Sequence, residues 1–219
     1  MENWGLVDGL QIKSKKLVGM CINCLYGKAT RRPFDERLTH ETEVLKRVHI
    51  DLWGPATTPS MGGARYMMLF SDGASSVRVP AFLKDKRKET SLKEFHKYRV
   101  MAENQTGKRM RIIRVDGGGE FDNNLLEAYC ADWGITIERI TPYSSSANGM
   151  AERGNRTVIE GVRTFLEESG LPRSFWAEAA ATFTYVDNFV PMARFPDRVP
   201  TEYWSNKRQD ISHLWPFGC

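Results

Sequence analysis

The chain has 219 residues, 41% of them hydrophobic, and carries 31 Lys or Arg against 27 Asp or Glu for a formal net charge of +4. That length buries a sizeable core, most naturally one domain of about 150 residues with flanking pieces. No apolar run approaches the roughly 18 residues of a membrane span, and no apolar stretch follows a basic start, so the chain reads as soluble and intracellular.

Met1 to Gly19 lacks periodicity and reads as turn or frayed chain. Cys21-Ile-Asn-Cys24 follows, which is half of a zinc site; such a site needs four ligands, and no histidine precedes His40. Zn2+ is therefore not expected here, nor is a disulfide in an intracellular chain with four cysteines and no evident framework. Cys21 and Cys24 read as free thiols, and Thr30 to Arg47 as a basic-rich linker.

Strands come next. Arg47 to Trp53 alternates with a period of two and is stopped by Gly54-Pro55. Arg65 to Phe70 and Ser76 to Leu83 are further apolar runs, and the short polar turns between them predict an antiparallel meander. Lys86 to Gln105 has helical spacing, with Leu92, Phe95, Tyr98 or Arg99, and Ala102 on one side. Met110 to Val115 is a fourth strand. Asn123 to Trp133 reads as a helix with Leu125, Leu126, Tyr129 and Trp133 inward, capped by Gly134, and Ile135 to Ile140 as a fifth strand. Thr141 to Gly149 has a loop composition. Met150 to Ser169 is helical, with Ala151, Val158, Val162, Phe165 and Leu166 near one stripe. Phe175 to Phe189 is another helix, and Thr201 to Trp204 a possible final turn. This order of elements supports an α/β class.

Three acids mark candidate chemistry. Asp116 ends the fourth strand, and 35 residues separate it from Glu152, enough for a helix, a strand and a loop to return the second acid beside the first. Asp51 shares the face of His49 and Trp53 in the first strand. Carboxylates converging on one strand end form an oxygen cage for hard cations such as Mg2+ or Mn2+, and two such cations serve in-line displacement at phosphorus. Two of the acids also have a plainer reading, Asp116 before Gly117 as a turn acid and Glu152 as a solvated helix acid, whereas Asp51 lies in a strand that looks largely buried, where unpaired acids are rare.

Basic residues suggest the partner. Lys84 to Arg114 holds eleven Lys or Arg, Lys108 and Arg109 among them, against four acids, a local net of +7. Such a segment either faces a polyanion or forms a solvated helix face. Arg153 and Arg156, on the helix of Glu152, either meet phosphate or pair with Glu152 or Glu160.

His49-Ile-Asp-Leu-Trp-Gly-Pro55, Asp116-Gly-Gly-Gly-Glu-Phe121, Asn148-Gly-Met-Ala-Glu-Arg-Gly-Asn-Arg156, Phe175-Trp-Ala-Glu-Ala179 and His213-Leu-Trp-Pro-Phe-Gly-Cys219 together resemble the integrase of copia-type long-terminal-repeat retrotransposons. The resemblance runs from about Gly19 to the last residue. It implies a ribonuclease H-like mixed five-stranded sheet flanked by helices, with Asp51, Asp116 and Glu152 as the catalytic, metal-holding triad. It further implies a two-metal site for Mg2+ or Mn2+, and DNA integration by end processing and strand transfer. The implied partners are element-end and target DNA, with RNA as a further nucleic acid, and the implied setting is a homo-oligomer in the nucleus, otherwise the cytoplasm. Asn148, Arg153, Asn155, Arg156, Lys108 and Arg109 are the candidate nucleic-acid contacts. By the same resemblance, residues 1–46 look like the remnant of a His-His-Cys-Cys knuckle and a linker, 47–190 like the catalytic core, and 191–219 like an extension whose family motif normally runs on. Gly117 stands where the family commonly has Asn, Ala147 where it often has Gln, and Phe189 where Arg is usual. Two rival functions remain at this stage: a catalytically silent nucleic-acid-binding remnant or domesticated protein, and a ribonuclease H-type nuclease.

Overall fold

The computed structural model describes residues 41–116, 121, 124–140, 149–194 and 196–219. Cys21, Cys24, Asn148, Gly117 and Ala147 lie outside them. Five strands, β1 (Arg47–Trp53), β2 (Tyr66–Asp72), β3 (Arg78–Leu83), β4 (Ile112–Val115) and β5 (Thr136–Arg139), form one sheet in the order β3-β2-β1-β4-β5. A loop of twelve residues, 54–65, joins β1 to β2 and a short turn joins β2 to β3, and the three strands pair antiparallel as the sequence predicts. Helices α1 (Lys88–Thr106) and α2 (Asn124–Asp132) carry the chain between β3, β4 and β5, and the ladders β1–β4 and β4–β5 are parallel. Then follow α3 (Gly149–Ser169), a short 3-10 turn (Arg173–Phe175), α4 (Trp176–Asp187) and α5 (Pro200–Ser205). This is a ribonuclease H-like arrangement.

Alternation along β1 assigns its two faces. Val48 and Ile50 join Met68, Phe70, Ile113 and Val115 in one core, which Phe95, Tyr98 and Ala102 of α1, Leu126 of α2 and Trp204 of α5 complete. Phe70 and Tyr98 stack there with ring centroids 4.1 Å apart. On the other face Trp53, Met67, Leu69 and Phe82 meet Val158 and Val162 of α3 and Trp176, Ala177 and Ala180 of α4. A β-carbon at Gly161 would stand 2.1 Å from Phe183 Cδ2, so this glycine sets how closely α3 and α4 approach. Covering on both faces explains why β2 reads as a nearly continuous apolar run.

α2 departs from expectation. Leu126 and Cys130, four residues apart, face the sheet, whereas Leu125 and Trp133 are each 44% exposed. Nine residues of helix expose one narrow stripe to the core, and Trp133 lies beyond the helix end. Its ring instead covers the buried guanidinium of Arg99, 3.6 Å from the ring centroid, which also donates to Glu103 at 3.0 Å and to the Tyr129 hydroxyl at 2.7 Å. The tail packs back on both cores: Trp204 is buried and its Nε1 donates to Gln105 Oε1 at 3.0 Å, and Phe217 stacks on Phe165.

Candidate active site

Parallel pairing sets Ile50 of β1 beside Val115 of β4. Asp51 and Asp116 are the next residues on the two strands, so they leave the same sheet edge one strand spacing apart, roughly 4.8 Å. α3 crosses the face to which Asp51 points. At Gly154 a β-carbon would meet Leu69 Cδ2 at 3.3 Å and Ser71 Oγ at 3.4 Å, and this close seat on β2 lets the next residue reach β1. Asn155 is buried, and its Nδ2 donates to Asp51 Oδ2 at 2.8 Å; the other carboxylate oxygen accepts from the Leu52 N–H at 3.0 Å. Glu152, almost one turn earlier on α3, is exposed.

The carboxyl of Asp51 is raised above its ordinary range. Burial is the largest cause and the charge of Asp116 the next; the charge of Glu152 adds a smaller push, while the donors Asn155 and Leu52 oppose. All three acids are therefore within electrostatic reach of one spot. Among the described residues no three His, Cys, Asp or Glu side chains stand in a ready-made metal cage. The chemistry of the three acids suits a hard divalent cation: oxygen donors only, converging negative charge, and one carboxylate already steered by a neutral amide.

Beside this edge the same face carries an ion lattice. Arg47 donates twice to Glu138, at 3.0 and 2.9 Å, and Arg114 donates to the same carboxylate at 2.9 Å, so β1, β4 and β5 are laced together; Glu41 pairs with Arg47 and Lys46 at the rim. Burial alone would raise Glu138, but the two arginines overcome it and hold the carboxyl below its usual range. His49 lies buried among them, with no hydrogen-bond partner for Nδ1 among the described residues. Burial first, then Arg114 and Arg47, depress it to about 4. It is neutral at neutral pH.

No protein-family model matches the chain. In sequence it is similar to the retrovirus-related Pol polyprotein from transposon TNT 1-94 of Nicotiana tabacum, 37% identical over 220 residues, covering 96% of this chain. The chain spans 16% of that relative's length. In fold it is similar to a chain of the simian T-cell lymphotropic virus intasome solved by cryo-EM in complex with PP2A regulatory subunit B56 gamma. The TM-score there is 0.64 at 13% identity, over 86% of this chain and 64% of that one. It is also similar to the HTLV-2 integrase catalytic core domain, solved with magnesium in a trimeric form, with a TM-score of 0.54 at 15% identity, over 72% of this chain and 94% of that one. The chain is a relative of copia-type retrotransposon Pol polyproteins. At such identities the solved structures speak for its fold, that of an integrase catalytic core.

In this copia-type relative the residues singled out by sequence fall into three groups. Asp51, Asp116 and Glu152 gather at one sheet edge, with Arg153 and Arg156 exposed on α3 alongside. Asn155 was expected on the nucleic-acid surface, but it is buried with its amide bound to Asp51. Lys108 and Arg109 are exposed before the start of β4, at the opposite end of that strand from Asp116. The single basic run of the sequence is thus divided by α1 between two ends of the molecule. Sequence reasoning missed the Asn155–Asp51 bond and the Arg47–Glu138–Arg114 lattice, whose partners are 104, 91 and 24 residues apart. No local signal marks such pairs.

Proposed function

We propose that the chain is the catalytic core of a DNA integrase, a divalent-metal-dependent polynucleotidyl transferase. The reading rests chiefly on the placement of Asp51 and Asp116 on adjacent parallel strands with the first turns of α3 tied to Asp51 through Asn155. Asp51, Asp116 and Glu152 would hold Mg2+ or Mn2+. Bound there, the cations supply the positive charge that offsets what builds up on the attacking and leaving oxygens of an in-line displacement.

In end processing, a water oxygen bonds to a phosphorus near the element end while the 3′ oxygen departs with the bond electrons and takes up a proton. In strand transfer, that 3′ hydroxyl bonds to a phosphorus of target DNA, loses its proton, and displaces a second 3′ oxygen. The chain's own residues contribute positioning: Asn155 orients Asp51 by donating to one oxygen, the Leu52 N–H holds the other, and the ion lattice keeps β4 and β5 in register so that Asp116 stays beside Asp51. Arg153 and Arg156 would meet phosphate, for which their planar forks are suited. His49 is assigned no proton transfer. No described helix is long and apolar enough to cross a membrane. Nuclear location, assembly of several copies, and the division into residues 1–46, 47–190 and 191–219 belong to the same proposal.

The test is an oligonucleotide assay with Mn2+ or Mg2+, scoring nicking near a duplex end and joining to a second duplex, with an RNA·DNA hybrid as a parallel substrate. Wild-type nicking or joining, lost in both Asp116→Asn and Glu152→Gln while circular dichroism stays unchanged, is the expected result. Activity that survives either substitution, or cutting confined to the hybrid, would refute it.

A further inference from the structure

The sheet edge that carries Asp51 and Asp116 does not end with them. Because β2 runs against β1 and β3 against β2, the start of β2 and the end of β3 come to the same edge, with Tyr66 paired to Leu83. Here a pocket of about 410 Å3 opens, lined by Arg65, Tyr66, Lys84, Asp85, Lys86 and Arg87 among others. Four of these are cations and one is an acid.

The acid is already engaged. Asp85 accepts from Arg87 through Nε at 2.9 Å and the backbone N–H at 3.1 Å, and from the Thr90 hydroxyl at 2.8 Å. Arg65, Lys84 and Lys86 are exposed and have no ion-pair partner among the described residues. Their base is fixed, since the Arg65 N–H donates to Leu83 O at 2.9 Å and its carbonyl accepts from the Ala56 N–H at 2.7 Å. Three unpaired cations on a rigid rim form a positive basin, and a basin of that kind gathers polyanions. Arg65 and Lys84 lie one and two strands from Asp51, two and three from Asp116, and four residues beyond the level of Asp51 and its partner Leu69, which sets the pocket roughly 14–20 Å from the acids. At an axial rise of about 3.4 Å per nucleotide of each strand in a duplex, that is four to six nucleotides.

We infer that this pocket is a phosphate-backbone subsite that grips a DNA strand about four to six nucleotides from the position where the acids act. The identity of the polyanion rests on the reading of the acids as a DNA-processing centre; the test of the pocket requires no cutting. Binding of a labelled duplex by the full chain is followed by fluorescence anisotropy in EDTA over a salt series. The variants are Arg65→Ala/Lys84→Ala/Lys86→Ala and, as a charge-matched control on exposed cations elsewhere, Lys93→Ala/Arg198→Ala/Lys207→Ala. The pocket variant is expected to flatten the slope of log K against log salt by about 2–3, at roughly 0.9 per lost phosphate contact, and to weaken low-salt binding on the order of ten- to a hundredfold, with the control close to wild type. Lys84→Glu alone should weaken it further than Lys84→Ala. An unchanged slope in the pocket variant, an equal loss in the control, no binding by the wild type, or displacement of DNA by polyglutamate at matched charge would each overturn the inference. Asp116→Asn should keep the wild-type slope, so a failure of the catalytic reading and a failure of this one are told apart.

Discussion

Acidification should destabilise this protein through His49. In the unfolded chain this imidazole takes its proton near its ordinary 6.5, whereas in the folded state burial, Arg114 and Arg47 defer protonation to about 4. Between those values the unfolded chain binds more protons, so the stabilisation is whole above 6.5 and is lost as pH falls toward 4. From about pH 7.5 to about pH 5 the loss is roughly 2 kcal/mol, the free-energy difference between the two protonation equilibria. The charged groups that act on it are Arg47 on β1, Arg114 on β4, Glu138 on β5 and Glu41 ahead of β1. Asp51, raised by burial and Asp116, works in the opposite direction, so wild type must be compared with His49→Leu, which keeps Asp51 and removes the imidazole. Urea unfolding followed by tryptophan fluorescence, in EDTA at both pH values, reads the effect. A loss of about 2 kcal/mol in excess of the variant's is a midpoint shift of about 1 M at an m-value near 2 kcal/mol/M. If wild type and His49→Leu lose the same stability over that interval, His49 is not the buried neutral group described here.

Asn155 and the tail offer two further checks. Asn155→Ala removes one hydrogen bond to a carboxylate, worth about 1.5–3 kcal/mol, and should lower the melting temperature measured by differential scanning fluorimetry. Asn155→Asp sets another acid against Asp51 and should melt lower still in EDTA, yet regain more than wild type on adding Mg2+; an equal Mg2+ response in both would count against cation binding at this edge. Trp204→Ala should cost about 3–5 kcal/mol in urea unfolding, as for a large buried aromatic, because Trp204 fills the α1 side of the core and reaches Gln105. A loss below about 1 kcal/mol would mean that the segment after α4 contributes little to the fold.

What the sequence makes legible here depends on how local the physical cause is. β1 spans Arg47–Trp53 as read, since alternation and a following Gly-Pro are both contained in nine residues. β4 begins two residues later than Met110 because the Met110 N–H is taken by the Glu103 side chain and that of Arg111 by the Leu45 carbonyl, partners outside the β1 ladder. Trp133 looks like a core residue by spacing, yet the nearby cation Arg99 competes for its ring and keeps it at the surface. The basic run from Lys84 to Arg114 looks continuous, but α1 within it has 19 residues and is about 28 Å long, so Lys84 and Lys86 end up at the acid edge while Lys108 and Arg109 lie at the far one.

The acids stand out for a related reason. Asp116 is the first residue past the ladder of β4, and Asp51 sits opposite it because two parallel strands share a register. A strand end can be read in one dimension, and a register follows once strand order is known. Which neutral group steers Asp51 cannot be read that way, because Asn155 reaches it only through the seat of α3 at Gly154 on β2. A substitution that unseats that helix, such as Gly154→Val, should therefore impair function at the acid edge while leaving all three acids in the sequence.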